Sequence, residues 1–103
     1  MDNIFDNMPS DLTSEAFSNL LKTDAIKIER IISKGHKSPE SGWYNQQQNE
    51  WLMLIKGRAV LTFEDQSERK LEAGDYLNIP AHQKHKVSWT DPNIETVWLT
   101  VHY

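Results

Sequence analysis

From Ile26 to the end of the chain, apolar and polar residues alternate with a period of about two. This period is typical of β-strands, because successive side chains of a strand point to opposite faces of the sheet. The alternating runs are short, and turn residues such as Gly57, Gly74 and Pro80 separate them. Short strands with turn signals roughly every 8–12 residues predict an all-β sandwich or barrel.

Polar segments separate the predicted strands. The strands are placed at residues 25–32, 50–55, 58–63, 69–72, 76–79, 86–89 and 95–103. Segment 36–49 is rich in Gly, Pro, Ser, Gln and Asn and is predicted to be a loop. The charged run at 64–68 is predicted to be an exposed hairpin turn.

The N-terminal region shows the one helical pattern in the sequence. In segment 10–22, Ala16, Phe17, Leu20 and Leu21 fall on one face at helical spacing, after Ser, Thr and Asp residues that are typical of helix N-termini. A helix of about three turns is therefore predicted, stable only when packed against the rest of the protein. We expect residues 1–24 to be an arm carrying this helix and residues 25–103 to be the β-barrel.

Composition excludes several function classes. The chain has 103 residues, of which 38% are hydrophobic and 25% charged, as in a single globular domain. The net charge of −4 argues against binding nucleic acid through its phosphates. The absence of cysteine excludes disulfides, iron–sulfur clusters and thiol catalysis, so His, Asp, Glu or amide oxygens would have to hold any metal.

The sequence predicts no membrane association. The longest unbroken apolar run covers residues 51–55, whereas a membrane span needs about 20 residues. The first residues carry neither a basic lead nor an apolar core, so no signal peptide is expected and a cytoplasmic location is predicted.

The segment from Gly74 to His85 resembles the second motif of the cupins, a superfamily of RmlC-like jelly-roll barrels. Gly74, Pro80 and His85 stand at the Gly, Pro and His positions of that motif. His82 replaces the usual inner Gly, and Trp89 replaces the usual Asn. The other histidines, His36 and His102, lie outside this segment.

The end of the first cupin motif is present upstream, but its beginning is altered. Glu50, followed after six residues by Gly57, matches the end of the motif. The family's metal site uses His, any residue, His, three or four residues and then Glu. Those histidine positions fall on Tyr44 and Gln46, or on residues 43 and 45 in the other register.

The resemblance implies a cupin-type double-stranded β-helix, as in small single-domain bacterial cupins, and a homodimer. It also implies a metal site, of which only Glu50 and His85 are unaltered. Gln46, Glu50 and His85 are the candidate ligands for one divalent ion such as Mn, Fe, Ni or Zn, although an amide oxygen binds more weakly than imidazole. The alternative is a buried hydrogen-bond cluster without metal.

Strand alternation predicts which side chains line a cavity. An inward Glu50 brings Leu52 and Leu54 inside, and an inward His85 brings Val87 and Trp89 inside. The predicted cavity residues are Trp43, Tyr44, Gln46, Glu50, His85, Trp98 and His102. For His102, exposure at the C-terminus is the alternative. The outward apolar residues 51, 53 and 55 need cover from the N-terminal helix or a second subunit.

Two hypotheses of function remain open. One is a metal-assisted enzyme, such as a dioxygenase, isomerase or lyase, acting on a small organic acid, phenol or sugar, with Tyr44 or His102 as acid–base candidate. The other is a binding module that holds a small ligand without metal or chemistry. A metal-free epimerase of nucleotide-linked sugars is disfavoured, because such sites need several Arg or Lys residues for phosphates and the chain has only three arginines.

Overall fold

A computed structural model describes residues 1–39 and 41–103 of the protein, and these form eight β-strands. The strands are β1 (Ala16–Lys22), β2 (Lys27–Ser33), β3 (Glu50–Lys56), β4 (Arg58–Phe63), β5 (Glu68–Glu72), β6 (Tyr76–Ile79), β7 (His85–Thr90) and β8 (Thr96–His102). They form two antiparallel sheets, with strand orders β1-β2-β8-β3-β6 and β5-β4-β7. The predicted all-β fold is confirmed.

The core lies between the two sheets, where the inward faces of their strands meet. Along β3 the buried residues alternate with half-buried ones, so Glu50, Leu52 and Leu54 share the inner face as predicted. Leu54 is fully buried, and Leu61 from β4 packs in the same apolar cluster. Trp98 of β8 belongs to this cluster as well, which fixes the inner face of the last strand.

The predicted N-terminal helix is wrong. Residues 16–22 form strand β1 at the edge of the larger sheet, where Phe17 pairs with Ile31 of β2. A short amphipathic helix is stable only when its apolar face is packed, whereas an edge strand gains backbone hydrogen bonds from its neighbour. In this strand Leu20 and Leu21 remain about half exposed.

The described residues contain no helix that could span a membrane.

The predicted inward orientation of Trp89 is also wrong. In β7, Val87 pairs with Leu61 but Trp89 pairs with Val60, so Ser88 is an additional residue that bulges out of the ladder. A β-bulge reverses the side-chain alternation beyond it, which turns Trp89 outward and leaves it 43% exposed. The Ser88 hydroxyl donates a hydrogen bond to the Val60 carbonyl at 3.2 Å.

Arg30 attaches the N-terminal segment to the outside of the larger sheet. Its side chain extends from β2 and is 7% exposed. Its Nη1 donates hydrogen bonds to the carbonyls of Ile4 at 3.0 Å and Asp6 at 2.6 Å. Three residues of the predicted loose arm are thereby held in place, since Nη2 also approaches the Asn7 carbonyl at 3.5 Å.

Candidate functional site

A cavity of about 190 Å³ opens between the two sheets. Its apolar wall comes from both sheets and includes Leu52, Leu61, Val87 and Trp98. Because one water occupies about 30 Å³ in the liquid, the cavity has the volume of about six waters. A space of this size suits a small organic molecule better than a nucleotide or a peptide.

Glu50 places a carboxylate in the cavity wall. It is the first residue of β3, where β6 and β8 pair with it on either side. Reciprocal backbone hydrogen bonds of 2.9 and 3.0 Å between Asn49 and Tyr103 fix the chain just before it. Glu50 is 8% exposed, and its Oε1 has no hydrogen-bond partner among the residues that the structure describes.

His85 faces Glu50 from the opposite sheet. It begins β7, and the loop residue Tyr44 is bound to it by backbone hydrogen bonds of 2.8 and 3.2 Å. Its Nδ1 lies 2.9 Å from the Gln83 carbonyl, which can only accept, so the proton of the ring is assigned to Nδ1. Its Nε2 lies 3.3 Å from Oε1 of Glu50, an ion contact rather than a well-directed hydrogen bond.

The surroundings of His85 favour a second proton on its ring, in addition to the one on Nδ1. With both groups deprotonated, the Nε2 lone pair would face a carboxylate oxygen, which is repulsive. Burial disfavours the imidazolium and acts to lower the pKa of His85, but the Glu50 carboxylate and the Gln83 carbonyl outweigh it and raise that pKa. When His85 carries this second proton, the pair combines a charged ring with a carboxylate inside a largely apolar cavity.

Most of the residues predicted to line the cavity are brought together there. Tyr44, Gln46, Trp98 and His102 line it together with the pair. The ring centroid of Tyr44 lies 5.7 Å from that of His85, and 45% of Tyr44 is exposed. His102 is buried, at 9% exposure, rather than solvent-exposed.

Trp43 is the exception among the predicted cavity residues. It is not part of the cavity wall. Its ring lies beside Lys86 instead, with the ammonium 4.6 Å from the ring centroid. Adjacent residues of the extended loop point in opposite directions, so the inward Tyr44 leaves Trp43 outside.

The sequence analysis missed the residues of β1 and β2 that complete the cavity. Glu15 and Phe17 line it because their segment is a strand, not a helix. Lys27, Glu29 and Ile31 line it from β2. The sequence could have indicated that these three residues share one face, because they stand at every second position of β2. No motif in β2 marks which of its two faces points inward.

The family model for the cupin domain matches residues 30–102, well over half of the chain. The chain belongs to the cupin family. The match covers β3 to β8 and most of β2, including both members of the Glu50–His85 pair. Among curated proteins, none matches this cupin significantly.

Solved structures of other cupins resemble the whole chain. A protein of Ralstonia eutropha JMP134, provisionally described as a mannose-6-phosphate isomerase, is 44% identical, with a TM-score of 0.93 over 99% of this chain and 95% of its own. An RmlC-like cupin of Desulfovibrio desulfuricans has a TM-score of 0.76 at 14% identity, over 99% and 94% of the two chains. An RmlC-like cupin of Methanocaldococcus jannaschii has a TM-score of 0.72 at 21% identity, over 92% and 84%.

The donor set of this cupin does not fit a tightly held metal ion. Among residues 1–39 and 41–103, no three His, Cys, Asp or Glu side chains are close enough to bind one ion together. Glu50 and His85 are the two strong ligands, and Gln46 offers only a weak amide donor. Tyr44 occupies the remaining histidine position, where a neutral phenol is a poor ligand. A two-ligand site loses most of the affinity of a four-ligand one.

Proposed function

We propose that this cupin binds a small organic molecule in its cavity, without requiring a metal, through a hydrogen-bond donor that the ligand presents to Glu50. The observation that carries this proposal is the Glu50 carboxylate, which lines the cavity, is 8% exposed and makes an ion contact of 3.3 Å with His85 but no hydrogen bond through Oε1 with the described residues. A buried carboxylate oxygen without a donor is costly, by about 1–3 kcal/mol or more. A ligand hydroxyl or amine would recover that free energy.

The size of the cavity limits the ligand to about one ring. An apolar cavity of about 150 Å³ accommodates benzene, so 190 Å³ accommodates a single ring with a short polar substituent. Tyr44 lies at the mouth, where its ring can cover a bound ligand. A phenol, a small sugar or a ring amine satisfies these limits.

Binding is tested by NMR titration of the labelled protein with single-ring alcohols, amines, carboxylates and simple sugars. We expect at least one class to shift amide resonances of β3 and β7 around Glu50 and His85. The isosteric variant Glu50→Gln is expected to weaken binding, and Glu68→Gln, an exposed carboxylate on β5, is the matched control. Shifts that cluster elsewhere, or binding unaffected by Glu50→Gln, would overturn the proposal.

An isomerase is the second candidate, and two observations favour it. The Glu50–His85 pair places a carboxylate 3.3 Å from an imidazole whose pKa is raised, in a largely apolar cavity, an arrangement suited to general acid–base catalysis. The Ralstonia eutropha neighbour carries a provisional isomerase description. In this role the pair would move a proton between the two carbons of a hydroxy-carbonyl substrate, with Tyr44 or His102 assisting.

The isomerase role is tested by incubating the protein with mannose, fructose and their 6-phosphates in deuterated water. Proton transfer through a protein base would exchange the C2 hydrogen of the mannose substrates, or a C1 hydrogen of the fructose substrates, with solvent. Loss of exchange in His85→Gln, but not in His82→Gln, would support the role. No exchange in the wild type with any of these sugars would exclude this chemistry on them and leave the binding function as proposed.

A further inference from the structure

The charged groups in the cavity wall are mostly acidic. Three carboxylates line it, from Glu15, Glu29 and Glu50. Lys27 is the single lysine or arginine among the described lining residues. Even when His85 carries a second proton, it and Lys27 supply two positive charges against three carboxylates, and His102 is the remaining histidine in the wall. The cavity therefore has an excess of negative charge.

The positive groups are already engaged. The Lys27 ammonium lies 3.9 Å from Oε2 of Glu29, and Glu29 is the more buried of the two side chains. The Nε2 of His85 points at Glu50, and its Nδ1 donates to the Gln83 carbonyl. An anionic ligand would thus have to compete with a protein carboxylate for either cation.

The carboxylates can still accept further hydrogen bonds, because an ionised carboxylate has about four acceptor sites. Glu15 accepts a hydrogen bond of 2.7 Å from the Ser33 hydroxyl through one oxygen. Glu50 is more than nine-tenths buried, and its Oε1 has the ion contact with His85 but no hydrogen bond. A ligand donor that reaches the Glu50 carboxylate from the cavity would add a hydrogen bond to it, and a charged donor gives the stronger bond.

Aromatic rings form part of the same wall. Tyr44 stands at the mouth, Trp98 lies at the back of the cavity and Phe17 lines it from β1. The faces of aromatic rings attract organic cations, because the ring quadrupole is negative above and below its plane. Carboxylates interspersed with aromatic rings are the combination that recognises an ammonium group.

We propose that the cavity selects a small organic ammonium ion, a primary amine attached to about one ring, and excludes anions, including sugar phosphates. The proposal rests on the proposed binding function and specifies its ligand class. The ammonium group donates to the Glu50 carboxylate, which lines the cavity, and the apolar remainder of the ligand packs against Leu52 and Val87. A carboxylate or phosphate at the same place would meet Glu50 at close range without a free cation to balance it.

The test uses three monosubstituted benzenes of similar size: benzylamine, benzyl alcohol and benzoate. Calorimetry or NMR titration of the wild-type protein at neutral pH gives their relative affinities. We expect benzylamine to bind about tenfold more tightly than benzyl alcohol, because a hydrogen bond to a charged donor exceeds a neutral one by about 1.4 kcal/mol. Benzoate is expected to bind most weakly.

A charge-neutral isosteric variant tests the role of Glu50 directly. In Glu50→Gln the preference for benzylamine over benzyl alcohol is expected to disappear, whereas Glu68→Gln on β5 retains it. The ranking in the wild-type protein is informative even if Glu50→Gln fails to fold. Benzyl alcohol or benzoate binding as tightly as benzylamine would overturn the amine proposal and leave cavity binding intact. No binding by any of the three would overturn the amine proposal, and the broader panel described above would then decide the binding function separately.

Discussion

Gly57 is the residue at which the chain passes from one sheet to the other, and its substitution tests the packing between the sheets. It stands alone between β3 of the larger sheet and β4 of the smaller one. Its φ of +95° lies in the region that L-residues rarely adopt. A Cβ on Gly57 would come within 2.5 Å of the Thr96 hydroxyl, 2.7 Å of the Thr96 Cα and 2.9 Å of the Glu95 carbonyl.

Gly74 provides a matched control for the substitution. It has the same φ of +95°, but a Cβ added there would meet nothing within 4 Å. Gly74→Ala therefore destabilises the fold through backbone strain alone, by about 1–3 kcal/mol. The smaller conformational entropy of the unfolded variant offsets up to about 1 kcal/mol of this loss. Gly57→Ala adds the steric conflict with the Thr96 backbone, which costs a further 1–3 kcal/mol or so.

The assay is urea unfolding of the wild type and the two variants, followed by circular dichroism. We expect Gly57→Ala to lower the free energy of unfolding by about 1–3 kcal/mol more than Gly74→Ala, at an unchanged dependence on urea. In a domain of this size that difference corresponds to roughly 4–8 °C in Tm per kcal/mol. Equal losses in the two variants would refute the close approach of Gly57 to Thr96.

Three further predictions concern His85, Arg30 and the metal ligands. Because the pKa of His85 is raised in the folded protein, protonation of His85 stabilises the fold fully below about pH 6.5, and this contribution is lost as the pH rises through the raised value. The difference in unfolding free energy between wild type and His85→Gln should therefore shrink over that range. A constant difference would contradict this prediction. Arg30→Ala should speed hydrogen exchange of residues 3–7 by removing hydrogen bonds to their carbonyls, whereas the exposed Arg69→Ala should not. Elemental analysis should find no stoichiometric Mn, Fe, Ni or Zn in the untagged wild-type protein, whereas the double variant Tyr44→His/Gln46→His should take up metal. About one ion per wild-type chain, lost in His85→Ala, would contradict this prediction.

The strands could be predicted from the sequence because their alternation reflects burial on one face. Along β3 this alternation also gave the correct inner face, since Glu50 of the first motif fixed its direction. The same reasoning failed at Trp89, where the additional residue Ser88 reverses the alternation. A bulge leaves no mark in the hydrophobic pattern, because either orientation of a tryptophan is compatible with a half-exposed strand.

The N-terminal segment was misassigned for a different reason. Its apolar residues 16, 17, 20 and 21 fit a helical face, and no local feature reveals that β2 offers a free edge. Pairing with β2 is a long-range effect, which overrides a weak local preference. This error concealed Glu15 and Phe17 from the predicted site, since residues outside the barrel would not line its cavity.

The altered first motif explains why the buried Glu50 carboxylate contacts His85 without a hydrogen bond to Oε1. In the full cupin pattern two histidines would accompany Glu50 and His85, and a divalent cation would balance the buried carboxylate. Here Tyr44 and Gln46 occupy those positions, and neither brings a positive charge. The Glu50 carboxylate instead lies beside His85, and together with the Gln83 carbonyl it raises the pKa of that imidazole despite burial. At 3.3 Å, His85 makes an ion contact with Oε1 of Glu50 but no hydrogen bond, so the Glu50 carboxylate can still accept a hydrogen bond from a ligand. A ligand ammonium group supplies a hydrogen-bond donor, and its positive charge adds to that of His85 opposite the three cavity carboxylates of Glu15, Glu29 and Glu50.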